Sequence, residues 1–217
     1  MKITAITHQA KNSNRFNVFI DNAFAFGINA DDMINYRISV GMVIDEIEYE
    51  NLISQLEYAK TRDAAIRSIS RSMQSTRQLQ NKLLAKGFST EAVKITLDLL
   101  TKNGYLDDLQ YAKMFINEKI KINNYGKKRI IGELLQRGIH KDIITEVLSN
   151  LDNGQEQQAA LRALKKKLQR TNIEEILAEP KEKNRIVSFM ARRGFSYEII
   201  YKAFRLYQNW LSDGDMK

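Results

Sequence analysis

Leu83-Leu84-Ala85-Lys86-Gly87-Phe88 is the stretch that decides how this chain folds, because its last three residues come back twice. Lys86-Gly87-Phe88 returns as Arg137-Gly138-Ile139 and again as Arg193-Gly194-Phe195. The glycines stand 51 residues apart (87 to 138) and then 56 apart (138 to 194). A tandem repeat fixes the architecture before the chemistry of any single residue is considered. These periods are too long for the roughly 34-residue two-helix unit and call for three helices per copy.

Sliding the copies by those offsets brings apolar positions into line. Leu79, Ile130 and Ile186 coincide, as do Leu83, Leu134 and Met190, and beside them Leu84, Leu135 and Ala191. After the glycine, Ala92-Val93 matches Ile143-Ile144 and Ile199-Ile200. Leu97, Leu148 and Phe204 follow, then Leu100, Leu151 and Tyr207. Steps of four and three place one helix face inward. Glycine at the junction suits a helix end, because a left-handed residue without a Cβ meets no steric penalty. Ser89, and Ser196 in the third copy, are caps for the helix that follows, with His140 as a weaker replacement in the second.

A further helix precedes each pair. Its stripe is Ala65, Ile66, Ile69 and Met73 in the first copy. In the second it is Ala112, Phe115, Ile116 and Ile120, and in the third Leu161, Leu164 and Leu168. Helix starts are marked by Ser75-Thr76-Arg77-Gln78, Asp107-Asp108-Leu109-Gln110 and Thr171-Asn172-Ile173-Glu174. Pro180, the one proline, opens a helix at its first position, where a missing N–H costs nothing.

The N-terminal segment follows a different rule. Phe16, Val18 and Ile20 alternate, and so do Phe24, Phe26 and Ile28 after Asp21-Asn22. Two such runs around a two-residue polar turn make a hairpin. Lys2 to Thr7 is a candidate third strand, Asp31 to Tyr36 a short helix, and Asp45 to Lys60 a longer one with Ile47, Leu52, Leu56 and Ala59 inward. The expected organisation is a β-rich head with a linking helix (1–57) and three-helix repeats at 58–106, 107–152 and 153–217.

Composition narrows the function. No stretch approaches the roughly 18 apolar residues of a membrane span, and the N-terminus lacks a signal peptide's layout. The chain has no cysteine, which excludes disulfides, thiolate metal sites and a cysteine nucleophile. A cytoplasmic monomer is expected. Net charge is +8, unevenly spread: residues 1–57 hold 4 Lys/Arg against 8 Asp/Glu, whereas 58–217 hold 30 against 18. A basic helical body behind an acidic head points to an anionic partner. The competing reading is lysine enrichment for solubility alone.

The sequence carries no constellation for catalysis. His8 and His140 stand in no metal-binding spacing, and phosphate-loop and nucleophile-elbow motifs are absent. Asp107-Asp108 is the one carboxylate pair that invites a metal-dependent nuclease reading. Helix capping by Asp107, and a favourable dipole for Asp108, explain it more simply. No enzyme, metal or cofactor is expected.

Basic sets are the candidate contacts. Lys127, Lys128 and Arg129 open a helix, where cations oppose the dipole, so an external anion or acidic surface is the more natural explanation. Lys165, Lys166 and Lys167, with Arg162 and Arg170, cover the polar side of the Leu161/Leu164/Leu168 helix; the alternative is a solvated face. Arg67, Arg71 and Arg77 decorate the first copy, the first two at i, i+4 and so on one face. Arg192 and Arg193 precede the third glycine; for Arg193, as for Lys86 and Arg137, complementing a helix C-terminus is the competing role. Tyr105, Tyr111, Tyr125 and Tyr197 read as core or partly buried residues rather than a stacking platform.

Three runs carry a resemblance: Leu83 to Phe88, Asn103-Gly104-Tyr105-Leu106-Asp107-Asp108-Leu109-Gln110-Tyr111-Ala112, and Tyr125-Gly126-Lys127-Lys128-Arg129-Ile130 with Glu133 to Ile139. Together they resemble the RecX family, bacterial regulators of the RecA recombinase, best over residues 62–150. The resemblance implies a mainly α fold of three tandem three-helix repeats in an elongated, curved body. It implies non-enzymatic control, with the protein lodged in the groove of the RecA–DNA filament and altering DNA recombination, repair and the SOS response. Single-stranded or duplex DNA is then a partner alongside RecA. A DNA-binding module without a recombinase target is the alternative.

Overall fold

The structure is a computed structural model and describes residues 1–10, 12–169 and 173–214. Asp21 and Asn22 both adopt left-handed backbone, φ 47° and 67°. Such a turn has the twist that paired strands require. It joins β2 (Asn12–Ile20) to β3 (Ala23–Asn29), while β1 (Ile3–Gln9) pairs antiparallel with the other edge of β2. Strict alternation would put Phe24 with Phe26 and Ile28. The register slips between Val18 and Phe19, so Val18 faces Phe26 but Phe19 faces Phe24. This bulge turns Phe24 outward, to 61% exposure, edge-on to Phe19. Ile3, Val18, Phe26 and Ile28 form the buried face, closed by Ile38, Ile44, Leu52 and Leu56.

Helix α1 (Ala30–Asn35) is short and capped by Asn29. Helix α2 (Glu46–Ile69) starts at a capping box between Asp45 and Glu48 and runs unbroken through position 57/58. The two helices expected here are one, because no glycine or proline interrupts positions 46–69. Its buried line also differs from the expected one. Leu52, Leu56, Thr61, Ala64, Ala65 and Ser68 face inward, while Ile47, Ile66 and Met73 are exposed. Small residues let α4 (Thr90–Lys102) approach α2 closely, and the Thr61 hydroxyl donates to the Glu57 carbonyl.

Between them lies α3 (Thr76–Leu84), which opens with the expected box: Gln78 N donates to Ser75 Oγ and Ser75 N to Gln78 Oε1, both at 3.2 Å. The second copy comprises α5 (Asp108–Lys121), α6 (Lys127–Gln136) and α7 (Lys141–Ser149). The third comprises α8 (Asn153–Leu168), α10 (Pro180–Arg192) and α11 (Tyr197–Gly214), plus a short α9 (Ile173–Ala178). The extra helix α9 takes up the longer spacing between the second and third glycines. Pro180 stands at the first position of α10. Arg170 and the Thr171-Asn172 start lie outside the described residues.

Gly87, Gly138 and Gly194 all take positive φ, between 80° and 90°. Leu79, Leu83, Ile130, Leu134, Ile186 and Met190 are buried, as the alignment requires. Leu84, Leu135 and Ala191 align equally well yet are exposed, one position round each helix from the core. Two compact units result. One is Met1–Ser72 with Leu79–Asn103, and the other is Met73–Gln78 with Gly104–Lys217. The core of the second joins α5, α6 and α7 to α8, α10 and α11.

Candidate nucleic-acid interface

A helix that begins Lys127-Lys128-Arg129 needs negative partners, and the chain supplies them. Gly126 N donates to the Arg193 carbonyl at 2.8 Å, and Lys128 N to the Gly194 carbonyl at 3.2 Å. Lys127 N donates to Glu156 Oε1 at 2.8 Å. Glu156 is only 7% exposed. The carbonyl end of α10 and this carboxylate therefore satisfy the start of α6 and offset the cations that oppose its dipole. Glycine is required at 126, because a Cβ there would collide with the Gly194 carbonyl carbon.

The junction one copy earlier is built in the same way. Ser75 Oγ donates to the Arg137 carbonyl at 2.6 Å, and Thr76 N to Asp108 Oδ1 at 2.8 Å. Asp107 caps its own helix through Gln110 N at 2.9 Å. The Asp107-Asp108 pair thus caps two helices: Asp108 stands in the first turn of α5, where the dipole favours it, and also serves the start of α3. No group of three or more His, Asp or Glu among the described residues is placed to hold a metal ion.

Beside the α6 start, the α5–α6 loop, α8 and α10 enclose a cleft of about 380 Å³. Asn123, Asn124, Tyr125, Lys166, Lys167, Phe189 and Arg193 line it. The Arg129 guanidinium lies 3.8 Å from the Tyr125 ring centroid, and that of Arg193 lies 5.8 Å away. Arg193 also sits 5.0 Å from the Phe189 ring, and Lys167 Nζ 5.5 Å. Arg193 Nη1 donates to the Asn123 carbonyl at 2.9 Å, which ties the loop to α10. Arg162 fastens the same loop: its Nε donates to Asn124 Oδ1 at 2.8 Å and its Nη2 to the Ile120 carbonyl at 3.1 Å. Cations held over ring faces in a concave site attract phosphate without giving up their packing.

Arg129, Lys166, Lys167 and Arg193 are therefore brought together. Lys127 and Lys128 stand on the adjoining first turn of α6. Lys165 points elsewhere: its Nζ lies 3.9 Å over Trp210, and burial there lowers its pKa. Arg192 is exposed on α10 and does not line the cleft. Arg77 is exposed at the start of α3. Arg67 occupies the last turn of α2, but Arg71 falls in the turn beyond its end, so the shared helical face expected for the pair does not form.

Tyr125, Phe189 and Asn123 were not among the sequence-derived contacts. The spacing held a signal: Tyr125 precedes Arg129 by four residues, and Phe189 precedes Arg193 by four. Phe189 and Arg193 meet across one helical turn at the end of α10, whereas Tyr125 reaches Arg129 from the loop just before α6. Tyr111 is buried and Tyr125 half-buried as expected, whereas Tyr105 and Tyr197 are exposed.

Four family models cover most of the chain. The regulatory protein RecX N-terminal domain matches residues 1–45, and the first, second and third RecX three-helix domains match 62–100, 107–148 and 155–204. A regulatory protein RecX of Clostridium botulinum is 34% identical over 92% of this chain and 92% of its own. That of Caldanaerobacter subterraneus subsp. tengcongensis is 31% identical over 95% of this chain and 100% of its own. A crystal structure of regulatory protein RecX superposes with a TM-score of 0.65 at 22% identity, covering 96% of this chain and 98% of that one. The fold agrees, the four domains follow in order, and the chain belongs to the RecX family of regulatory proteins.

Proposed function

We propose that this chain is a non-enzymatic regulator that binds in the groove of the RecA–DNA filament and restrains recombination there. It acts as a cytoplasmic monomer without a cofactor. No helix among the described residues is long and apolar enough to cross a membrane. The observation that carries the reading is the gathering of Arg129, Lys166, Lys167 and Arg193 around Tyr125 and Phe189 in a member of a regulatory family. A groove that holds DNA presents phosphates at close spacing, and such a cleft takes one. Several modest contacts along tandem repeats then act through effective concentration.

The test is recombinase ATP hydrolysis on single-stranded DNA with the chain added. Lys166→Glu/Lys167→Glu should weaken inhibition at least tenfold while circular dichroism and melting stay unchanged. Unchanged inhibition by that folded variant removes the cleft from the reading. A second reading, a DNA-binding module without a recombinase target, draws on the same rings and cations. Tight binding to bare single-stranded or duplex DNA with no effect on filaments would select it.

A further inference from the structure

The repeat contains three copies of one socket, and two of them are filled. Each consists of a basic residue, a left-handed glycine and an apolar residue at the end of one helix, with an acidic residue on an earlier helix. Arg137, Gly138, Ile139 and Asp108 form the second, which receives the start of α3. Arg193, Gly194, Phe195 and Glu156 form the third, which receives the start of α6. The occupants share a chemistry. A small residue, Ser75 or Gly126, donates to the arginine carbonyl; the next N–H, of Thr76 or Lys127, goes to the carboxylate; basic residues follow within the first turn. Each filled socket buries its apolar residue, with Ile139 and Phe195 at 2% exposure.

The first copy has the same parts. Lys86, Gly87 and Phe88 stand 51 positions before Arg137, Gly138 and Ile139, and Glu57 stands 51 before Asp108. Gly87 takes the same left-handed φ of 86°. No atom lies within 4 Å of where its Cβ would stand, whereas those of Gly138 and Gly194 would collide with Arg77 and Arg129. Phe88 is only half-buried, and Glu57 turns back to accept from Ser89 N at 2.7 Å and Ser89 Oγ at 2.9 Å. A second copy of this chain is a poor plug. The corresponding helix of the third copy is α10, which begins one turn earlier than the repeat offset requires and opens with Pro180, which has no N–H to donate.

We infer that the Lys86–Gly87–Phe88 corner with Glu57 is a docking socket for a helix N-terminus of the recombinase, one that begins with a small capping residue and carries basic residues in its first turn. This rests on the filament reading above and adds a protein contact in the other compact unit from the cleft. Docking covers Phe88, and Glu57 moves from Ser89 to the incoming N–H.

The chain has no cysteine, so single cysteines can be placed cleanly. Lys86→Cys and Lys166→Cys, each carrying a benzophenone, would be irradiated with the recombinase filament and the products mapped by mass spectrometry. The expected result is a Lys86→Cys cross-link to the first turn of a recombinase helix. Cross-linking from position 166 but not from 86, or from 86 only to DNA, overturns the socket and leaves the filament reading standing. Failure of the unmodified chain to co-sediment with filaments removes that reading, and the recombinase as occupant with it. A companion variant, Ala85→Trp, adds bulk to the exposed rim of the socket. It should reduce filament co-sedimentation at least fivefold while leaving bare-DNA binding unchanged, and full co-sedimentation by the folded variant also overturns the socket.

Discussion

At the scale of single residues, three equivalent glycines separate two causes of glycine dependence. All three hold positive φ, which costs any other residue about 1–3 kcal/mol. Only Gly138 and Gly194 also face a close neighbour: an Arg77 side chain for the first, the Arg129 backbone for the second. Alanine should therefore cost about 1 kcal/mol at Gly87, more at Gly138 and most, about 3 kcal/mol or above, at Gly194, where backbone cannot yield. Urea unfolding of the three variants reads this order, and equal costs would contradict the junction geometry. Lys60 supplies a pH test. Partial burial, and then Arg15, lower its pKa, while its Nζ donates to the Gly27 carbonyl. The folded chain then binds fewer protons than the unfolded one as pH approaches the ordinary 10.5, so stability from this group rises with pH there. Lys60→Met should abolish that rise as pH climbs towards 10.5, read by urea midpoints.

At the scale of elements, the starts of α3 and α6 depend on carboxylates carried by other helices. Glu156→Ala removes the acceptor of the part-buried Lys127 N–H and should cost about 1 kcal/mol, measurable by urea unfolding. A loss below a few tenths would mean water or a shifted turn replaces the carboxylate. His140 caps α7 with a long 3.4 Å bond from Asp142 N, where Ser89 and Ser196 cap the equivalent helices through hydroxyls. His140→Ser should stabilise by about 0.5–1 kcal/mol, seen as a raised melting temperature. The caps that Asp45, Ser75, Ser89, Asp107 and Ser196 make to their own first turns, the glycine ends and the Asp21-Asn22 turn were legible in the sequence because each is fixed by neighbours within four residues. The merger of two expected helices into α2 was less so, since a helix stop has to be inferred from stripes that packing rearranges.

For the whole molecule, charge is the property that composition and structure describe together. The first 57 residues carry more acidic than basic groups, and the balance reverses beyond them. Binding to single-stranded DNA, alone or in filaments, should weaken with salt, with a log–log slope of about −0.7 per phosphate neutralised. Lys166→Glu/Lys167→Glu should flatten that slope by about 1.4 if both lysines meet phosphates. Fluorescence anisotropy across ionic strength measures it, and an unaltered slope would place the phosphates on other residues.

The sequence by itself determined the repeat, the kind of helix ends, the hairpin and the family, because periodicity, glycine conformation and capping act between residues near in the chain. Tertiary structure alone decided which cations share a site. Arg129, Lys166 and Arg193 meet because the ends of three helices converge at Tyr125, whereas Lys165, next to Lys166 in the chain, lies over Trp210 instead. Tertiary structure also decided that two of three equivalent corners hold a helix start, since filling depends on which copy comes before and the first copy has none.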